Sequence, residues 1–197
     1  MAIDTQAIKE HIRGILIALG DDPDREGLKD TPDRVARMYQ EVFEGMQYTN
    51  REIAEMFDKT FAEEMDFVTD SRDMVIVRDI EVYSLCEHHM LPFYGRCHIG
   101  YIPRGKVFGV SKLARLVDCF ARRLQIQERL TQEIADYIKA KVNAEGVGVV
   151  MECHHLCMMM RGVQKQNSCM VTSAMRGSFL KSVATRSEFL RLIEDHH

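Results

Sequence analysis

Two clusters of cysteine and histidine constrain the fold of this chain more than any other feature. The first is Cys86-Glu87-His88-His89, and the second, far downstream, is Cys153-His154-His155-Leu156-Cys157. Thiolate and imidazole groups are ligands typical of zinc. Because the clusters are distant in the sequence, a site that uses both has to be closed by the fold rather than by one loop.

Length and composition indicate one compact domain with an added element. The chain has 197 residues, 46% of them hydrophobic and 28% charged, as is ordinary for a globular protein. No apolar run approaches the roughly 18 residues of a membrane helix. Charged residues, among them Asp4, Lys9 and Glu10, interrupt the N-terminal stretch, unlike a signal peptide. We therefore expect a cytoplasmic protein without a membrane partner, whose cysteines are thiols or metal ligands rather than disulfides.

The net charge restricts the partners further. A formal net charge of -4 argues against general nucleic-acid binding, which usually needs a basic surface. It is compatible with a small anionic substrate that binds in a local basic pocket.

The N-terminal region, residues 1–70, is predicted to be helical. Ile8, Ile12 and Leu16 follow the spacing of an amphipathic helix over residues 5–19. Thr31-Pro32-Asp33 predicts a second helix, with Thr31 as the N-cap and Pro32 at the first helical position. Together these helices predict an antiparallel hairpin, followed by a looser helical stretch over residues 53–61.

The second region, residues 71–197, is predicted to be an α+β core with a C-terminal helix. Alternating apolar residues and turn signals give a ββααββ order of elements. A Thr-x-x-Glu capping box at Thr185 to Glu188 predicts the final helix. The predicted strands cover residues 74–83, 94–102, 147–160 and 168–174, and the helices between them cover residues 111–124 and 127–143.

Spacing within the two clusters selects candidate metal ligands. If the downstream segment is an extended strand, His155 and Cys157 lie on one face and His154 on the other. The Cys-x2-His spacing lets one loop present Cys86 and His89 to the same ion. A Cys, His, Cys set leaves a fourth position for water, which is the arrangement of a catalytic zinc site.

Two other interpretations of these clusters stay open. One is a closed structural zinc site with His155 or His88 as the fourth ligand, and the other is a set of buried thiols without a metal. The two surplus histidines favour the open site, because imidazole transfers protons near neutral pH.

Cations at a predicted helix start indicate an anion site. In Ser111-Lys112-Leu113-Ala114-Arg115 the cations oppose the helix dipole, so a bound phosphate would stabilise the arrangement. Arg161 could add another positive charge. The alternative is a solvated face, and Arg122 and Arg123 are interpreted as surface residues.

The pair Gln127-Glu128 opens the next predicted helix. A carboxylate favours a helix start for structural reasons alone. Beside an amide, it is also suited to accept the N–H donors of a guanine or pterin edge. Cys97, Cys119 and Cys169 are interpreted as buried thiols.

Together, these motifs resemble GTP cyclohydrolase I of the zinc type. The matching segments run in the family's order over nearly the whole chain, and agreement at so many ordered positions is far more specific than any single motif. They are Thr31-Pro32-Asp33-Arg34-Val35, Cys86-Glu87-His88-His89, Gly109-Val110-Ser111-Lys112-Leu113, Gln127-Glu128-Arg129-Leu130-Thr131, His155-Leu156-Cys157-Met158 and Arg161-Gly162-Val163.

The resemblance implies a fold, an assembly and a reaction. The fold is a tunnelling fold with a ββααββ core, whose sheets join around a ring into a homodecamer of two face-to-face pentamers. Its active sites lie between subunits. The reaction converts GTP and water to 7,8-dihydroneopterin triphosphate and formate, by attack of zinc-activated water at guanine C8, and leads to folate or tetrahydrobiopterin.

The resemblance also implies residue roles. Zinc (Zn2+) binds Cys86, His89 and Cys157, while His88 and His155 transfer protons and Ser111 serves the rearrangement of the ribose. The triphosphate is held by Lys112, Arg115 and Arg161, together with Arg34 of a neighbouring chain, and the guanine edge is read by Gln127 and Glu128.

Cys153 departs from the family pattern, which commonly has a small residue there. The extra thiol could be a competing ligand, an oxidation liability or a passive core residue, and we favour the last.

Two other functions compete with the leading hypothesis. They are another pterin or purine enzyme of the tunnelling fold, and a nucleotide-sensing or assembly module with structural zinc.

Overall fold

A computed structural model describes residues 2–56 and 73–194, which form a mixed α+β fold. In chain order the elements are α1 (Thr5–Ala18), α2 (Thr31–Val42), a short 3-10 helix (Glu44–Gln47), α3 (Asn50–Met56), β1 (Val75–Cys86), β2 (Pro92–Ile102), α4 (Val110–Ala121), β3 (Leu124–Gln125), α5 (Gln127–Lys141), β4 (Gly146–His155), α6 (Leu156–Met159), β5 (Met170–Gly177), α7 (Ser178–Lys181) and α8 (Val183–Ile193). Within these residues, no helix is both long and apolar enough to cross a bilayer.

The five strands form one sheet in the order β3-β1-β2-β4-β5. All neighbours are antiparallel except the short parallel pair of β1 and β3. Helix α4 packs against β1, and α5 packs against β4 and β5. The main core lies between these helices and the sheet and includes Val82, Phe93, Leu116, Ile134 and Val149.

A smaller core on the opposite face holds the C-terminal helices. Phe179 of α7 and Phe189 of α8 are fully buried there, beside Val150 of the sheet. Gly148 makes this close approach feasible, because a Cβ atom on it would lie 2.5 Å from Cδ1 of Phe179. The C-terminal helices therefore close one end of this face.

Several predicted boundaries differ from the structure. Thr31 is the first residue of α2 rather than its cap, because Asp30 precedes the helix. The capping box at Thr185 is wrong: α8 begins earlier, and the Ser182 hydroxyl accepts a hydrogen bond from the Thr185 N–H. Ser111 lies in the first turn of α4, after Gly109 as N-cap. The helical stretch predicted for residues 53–61 is α3 up to Met56, and its remainder, like the predicted boundary between residues 70 and 71, lies outside the described residues.

Arg123 is not the plain surface residue that the sequence predicted. Its guanidinium donates to the Gly45 carbonyl at 2.9 Å, the Asn50 Oδ1 at 2.8 Å and the Tyr48 carbonyl at 3.1 Å. These bonds fasten residues 44–50 to the segment after α4. Arg122, in contrast, makes an ion pair with Glu44 at 3.0 Å, in which both side chains are more than a third exposed.

We expect Arg123→Ala to lower the free energy of unfolding by about 2 kcal/mol, because it removes several charge-assisted hydrogen bonds at once. The matched variant Arg122→Ala should cost less than about 1 kcal/mol, since exposed ion pairs contribute little. Urea denaturation of both variants measures the difference. Equal losses would contradict the assigned anchoring role.

Candidate metal centre and active site

The fold brings together the three residues that the sequence selected as metal ligands. The ligand atoms of Cys86, His89 and Cys157 all lie within 4.8 Å of one another. Two sulfur donors and one imidazole fit the preference of zinc for tetrahedral nitrogen and sulfur ligands. In the part of the chain that the structure describes, no other group of three or more such residues has this geometry.

Cys157 reaches the site by a different route from the predicted one. The predicted strand over residues 147–160 ends at His155, and the next four residues form α6. Strand parity therefore explains the position of His155 but not that of Cys157. A helical turn carries the Cys157 sulfur to the site.

The loop after β1 presents the other two ligands. The Cys86 N–H donates to the Leu91 carbonyl at 2.9 Å, and the Met90 N–H donates to the Cys86 carbonyl at 2.8 Å. Met90 adopts a φ of 54°, a left-handed conformation that residues other than glycine rarely adopt. The chain thus folds back on itself, so that Cys86 and His89 point to one side.

The electrostatics of the cluster favour a bound cation. Partial burial raises the pKa of the Cys157 thiol, and the adjacent Cys86 sulfur raises it further. Two neighbouring thiolates are stabilised by a metal ion, which supplies the compensating charge. Nδ1 of His88 lies 3.7 Å from the Cys86 sulfur, and Nη1 of Arg161 lies 3.2 Å from Nε2 of His89. His88 and Arg161 therefore border the ligand set, and their roles as proton carrier and phosphate ligand stay predictions.

His155 is held in one orientation by two contacts. Its ring stacks on Phe93, with centroids 4.7 Å apart and planes 8° from parallel. Its Nε2 lies 2.8 Å from Oε1 of Gln127. Burial lowers the pKa of His155, although the Glu128 carboxylate opposes this shift. The environment thus favours a neutral imidazole.

Gln127 determines which nitrogen of His155 carries the proton. Its amide Nε2 donates to the carbonyl oxygens of Met151 at 3.0 Å and Met170 at 2.9 Å. Because carbonyl oxygens only accept hydrogen bonds, the amide oxygen has to face His155. Nε2 of His155 is therefore the donor, and its Nδ1 keeps a lone pair that can accept a proton.

In this chain the Gln127 amide is engaged in contacts within the fold, and its predicted contact with guanine stays a prediction. The Gln127 side chain is fully buried, and its amide is engaged with the sheet and with His155. Sequence reasoning could not find this role, because the burial of the first residue of α5 depends on where β4 and β5 lie. Glu128, the next residue, is exposed and remains a predicted guanine ligand.

Apart from Arg161, the residues predicted to serve the phosphates and the ribose lie on helices α2 and α4. Ser111 and Lys112 are in the first turn of α4. Arg115 lines a cavity of about 320 Å³ beside Tyr48 and Met56. Arg34, on α2, pairs with Asp30 at 3.5 Å. Within the single chain, Arg161 contacts His89. The phosphate-binding roles of all four cations, Arg34, Lys112, Arg115 and Arg161, stay predictions.

Comparison with known proteins decides the family. A family model described as GTP cyclohydrolase I matches residues 8–194. The chain belongs to the GTP cyclohydrolase I family. The resemblance drawn from its motifs is confirmed, and the protein is accordingly an enzyme.

Curated members of the GTP cyclohydrolase I family are similar over almost their whole length. GTP cyclohydrolase 1 of Carboxydothermus hydrogenoformans is 55% identical over 192 residues, which cover 97% of this chain and 95% of that protein. The protein named GTP cyclohydrolase 1 1 of Pseudomonas aeruginosa is 55% identical over 187 residues, which cover 95% of this chain and 96% of that protein. Among solved structures, the archaeosine synthase QueF-Like in the apo form covers 55% of this chain and 97% of its own, with 21% identity and a TM-score of 0.46. This structural likeness is too weak to support a conclusion.

Cys153, the departure from the pattern of the GTP cyclohydrolase I family, lies in the core. Its side chain is fully buried, and burial raises the pKa of its thiol to about 12. It is not among the grouped ligands Cys86, His89 and Cys157. These observations support a passive core residue. Of the other thiols, Cys97 is buried as predicted, whereas Cys119 is half-buried and Cys169 is exposed.

Alkylation should separate these thiols. In the native protein at pH 8, we expect iodoacetamide to modify Cys169 first, and Cys97 and Cys153 at least about 100-fold more slowly, because buried thiols are inert. Peptide mass spectrometry over time measures the rates. Rapid modification of Cys153 in the folded protein would contradict the passive role.

Proposed function

We propose that the protein converts GTP and water to 7,8-dihydroneopterin triphosphate and formate. The observation that carries the proposal is the meeting of Cys86, His89 and Cys157 beside His88, in a chain of this family. Such chemistry needs an electrophilic centre and groups that move protons, and the geometry supplies candidates for both. We further propose that the enzyme acts in the cytoplasm.

Zinc is the metal that the donor set fits best. Cys86, His89 and Cys157 would hold it, and no fourth ligand joins this group within the described ranges, which supports an open coordination site. When bound, zinc supplies a Lewis acid that makes water a nucleophile near neutral pH.

His155 is suited to accept a proton during hydrolysis at guanine C8. Gln127 fixes its Nε2 as a hydrogen-bond donor, and the stacked Phe93 holds the ring. Nδ1 is then the basic atom, and burial lowers the pKa of the imidazole, which favours its neutral form. His88 lies beside the ligand Cys86, with its Nδ1 3.7 Å from the sulfur. Two imidazoles at one site allow one to take up a proton while the other delivers one to the departing formate or amine.

Substrate recognition is assigned to charged residues around this chemistry. The exposed Glu128 carboxylate would accept N–H donors of guanine. Lys112, Arg115 and Arg161 would bind the triphosphate, with Arg34 contributed by a neighbouring chain, and Ser111 would assist the rearrangement of the ribose. A contribution of Arg34 from a neighbouring chain would make this a composite site between subunits. We accordingly infer a tunnelling fold that assembles into a homodecamer.

A single assay tests the function against its competitors. Purified zinc-loaded protein is incubated with GTP while formate and the absorbance of a dihydropterin are followed, and guanosine is compared as substrate. The proposal predicts equal amounts of both products from GTP and far slower turnover of guanosine. Binding of GTP without formate would indicate a nucleotide-sensing module instead, and efficient turnover of guanosine would indicate another pterin or purine enzyme.

A further inference from the structure

Glu87, in the loop that presents Cys86 and His89, makes a contact that the proposed chemistry does not use. Glu87 lies in the loop between the ligands Cys86 and His89, and its carboxylate forms an ion pair with Arg129 of α5. The hydrogen bond from Arg129 lowers the pKa of the Glu87 carboxyl. Neither residue is a metal ligand. The contact therefore joins the metal loop to a different element of the fold.

Arg129 is itself fixed before it reaches Glu87. Its Nε donates to Oε1 of Gln125 at 2.9 Å, and its Nη2 donates to the Leu124 carbonyl at 3.2 Å. Gln125 is only 1% exposed, and its amide donates to the Phe120 carbonyl at 3.0 Å. An arginine oriented in this way loses little further conformational entropy when it binds a carboxylate.

The loop is attached to the same support through its backbone. The Glu87 N–H donates to the Gln125 carbonyl at 3.0 Å, next to the parallel pairing of Cys86 with Gln125. Two contacts, one from the backbone and one from the side chain, thus hold Glu87 against the start of α5. Between them they restrict how the loop can turn Cys86 and His89.

We propose that the Glu87–Arg129 ion pair is a positioning device that holds the loop in its metal-binding conformation. This inference rests on the proposed metal site. The loop contains a left-handed residue, Met90, and such a costly backbone conformation persists only where surrounding contacts hold it. Restricting the loop favours the geometry in which both ligands face Cys157. The ion pair acts on the metal only through the ligands.

The test is the zinc affinity of the purified full-length protein, measured by competition with a chromophoric chelator. Glu87→Gln and Arg129→Gln should each weaken zinc binding by about 10- to 100-fold, the usual effect of losing a group that orients a ligand. The double variant should be no weaker than the worse single variant, because both remove one interaction.

Arg176→Gln is the matched control. Arg176, on β5, forms an ion pair with Asp136, which lies on α5 like Arg129. The control should change zinc affinity by less than twofold. Substitution of Co2+ for zinc adds a spectroscopic readout, because a displaced thiolate changes the charge-transfer absorption. Glu87→Gln keeps both contacts of Arg129 with Gln125 and Leu124, so it remains informative if Arg129→Gln fails to fold.

Three results would overturn the inference. They are an unchanged zinc affinity in Glu87→Gln, an equal loss in Arg176→Gln, and strictly additive losses in the double variant. If the unmodified protein binds no zinc, the proposed metal site fails as well, which distinguishes that failure from failure of the positioning role alone.

Discussion

Replacement of Cys157 by alanine is expected to abolish zinc retention and turnover while the protein stays folded. Cys157 supplies one of two sulfur atoms in the group. These two sulfur atoms and a ring nitrogen of His89 all lie within 4.8 Å of one another. Loss of a ligand should weaken zinc binding by more than the roughly 10- to 100-fold that follows loss of an orienting partner. Because α6 is a short helix at the end of β4 and contributes no fully buried residue, the cost to folding should be small.

Metal analysis and the formate assay measure this prediction, and circular dichroism verifies the fold. Cys169→Ala is the matched control, since Cys169 is exposed and is not among the grouped ligands. It should keep its zinc and its turnover. Full activity in Cys157→Ala, or in the unmodified protein after complete removal of its metal, would refute the mechanism.

His155→Ala should reduce turnover by about 10²- to 10⁴-fold, the usual contribution of general acid–base catalysis. Zinc should be retained, because His155 is not one of the grouped ligands. Gln127→Ala should give a smaller loss of turnover, since the imidazole remains but its orientation is no longer fixed. Single-turnover kinetics with zinc-loaded variants measure these losses separately from metal loss.

The adjacent residue provides a strict control. His154 lies on the opposite face of the sheet, where it lines a cavity of about 850 Å³ with Tyr94 and Glu152. His154→Ala should therefore change turnover by less than about threefold, which is small beside the effect of an acid–base group. A comparable loss in both variants would mean that the strand, rather than the His155 imidazole, controls the rate.

The grouping of Cys86, His89 and Cys157 could be predicted from the sequence because its constraints are largely local. The Cys-x2-His spacing was sufficient to select Cys86 and His89, and alternation along β4 separated His155 from His154. Cys157 does join Cys86 and His89 in space, although the strand predicted for it is wrong and it lies on α6. A residue two positions after the end of a strand can be carried by a helical turn as well as by more strand, and the pattern does not distinguish the two.

Positions that depend on distant partners were not predictable. Gln127 was expected to contact substrate, but strands β4 and β5 enclose its side chain. Arg123 was expected at the surface, but the chain before α3 returns to it. The capping box at Thr185 failed because Ser182, three residues earlier, competes for the same role. In each case the local motif is sound and a tertiary contact decides its use.

If the proposed roles hold, the first turn of α5 assigns three separate tasks to three neighbouring positions. Gln127 faces inward to the sheet and His155, Glu128 faces solvent, and Arg129 reaches sideways to the metal loop. Random substitution of this turn should therefore produce three distinguishable defects. Variants at Gln127 should slow the chemical step, and variants at Glu128 should raise the Michaelis constant for GTP. Variants at Arg129 should compete less well with chelators for zinc.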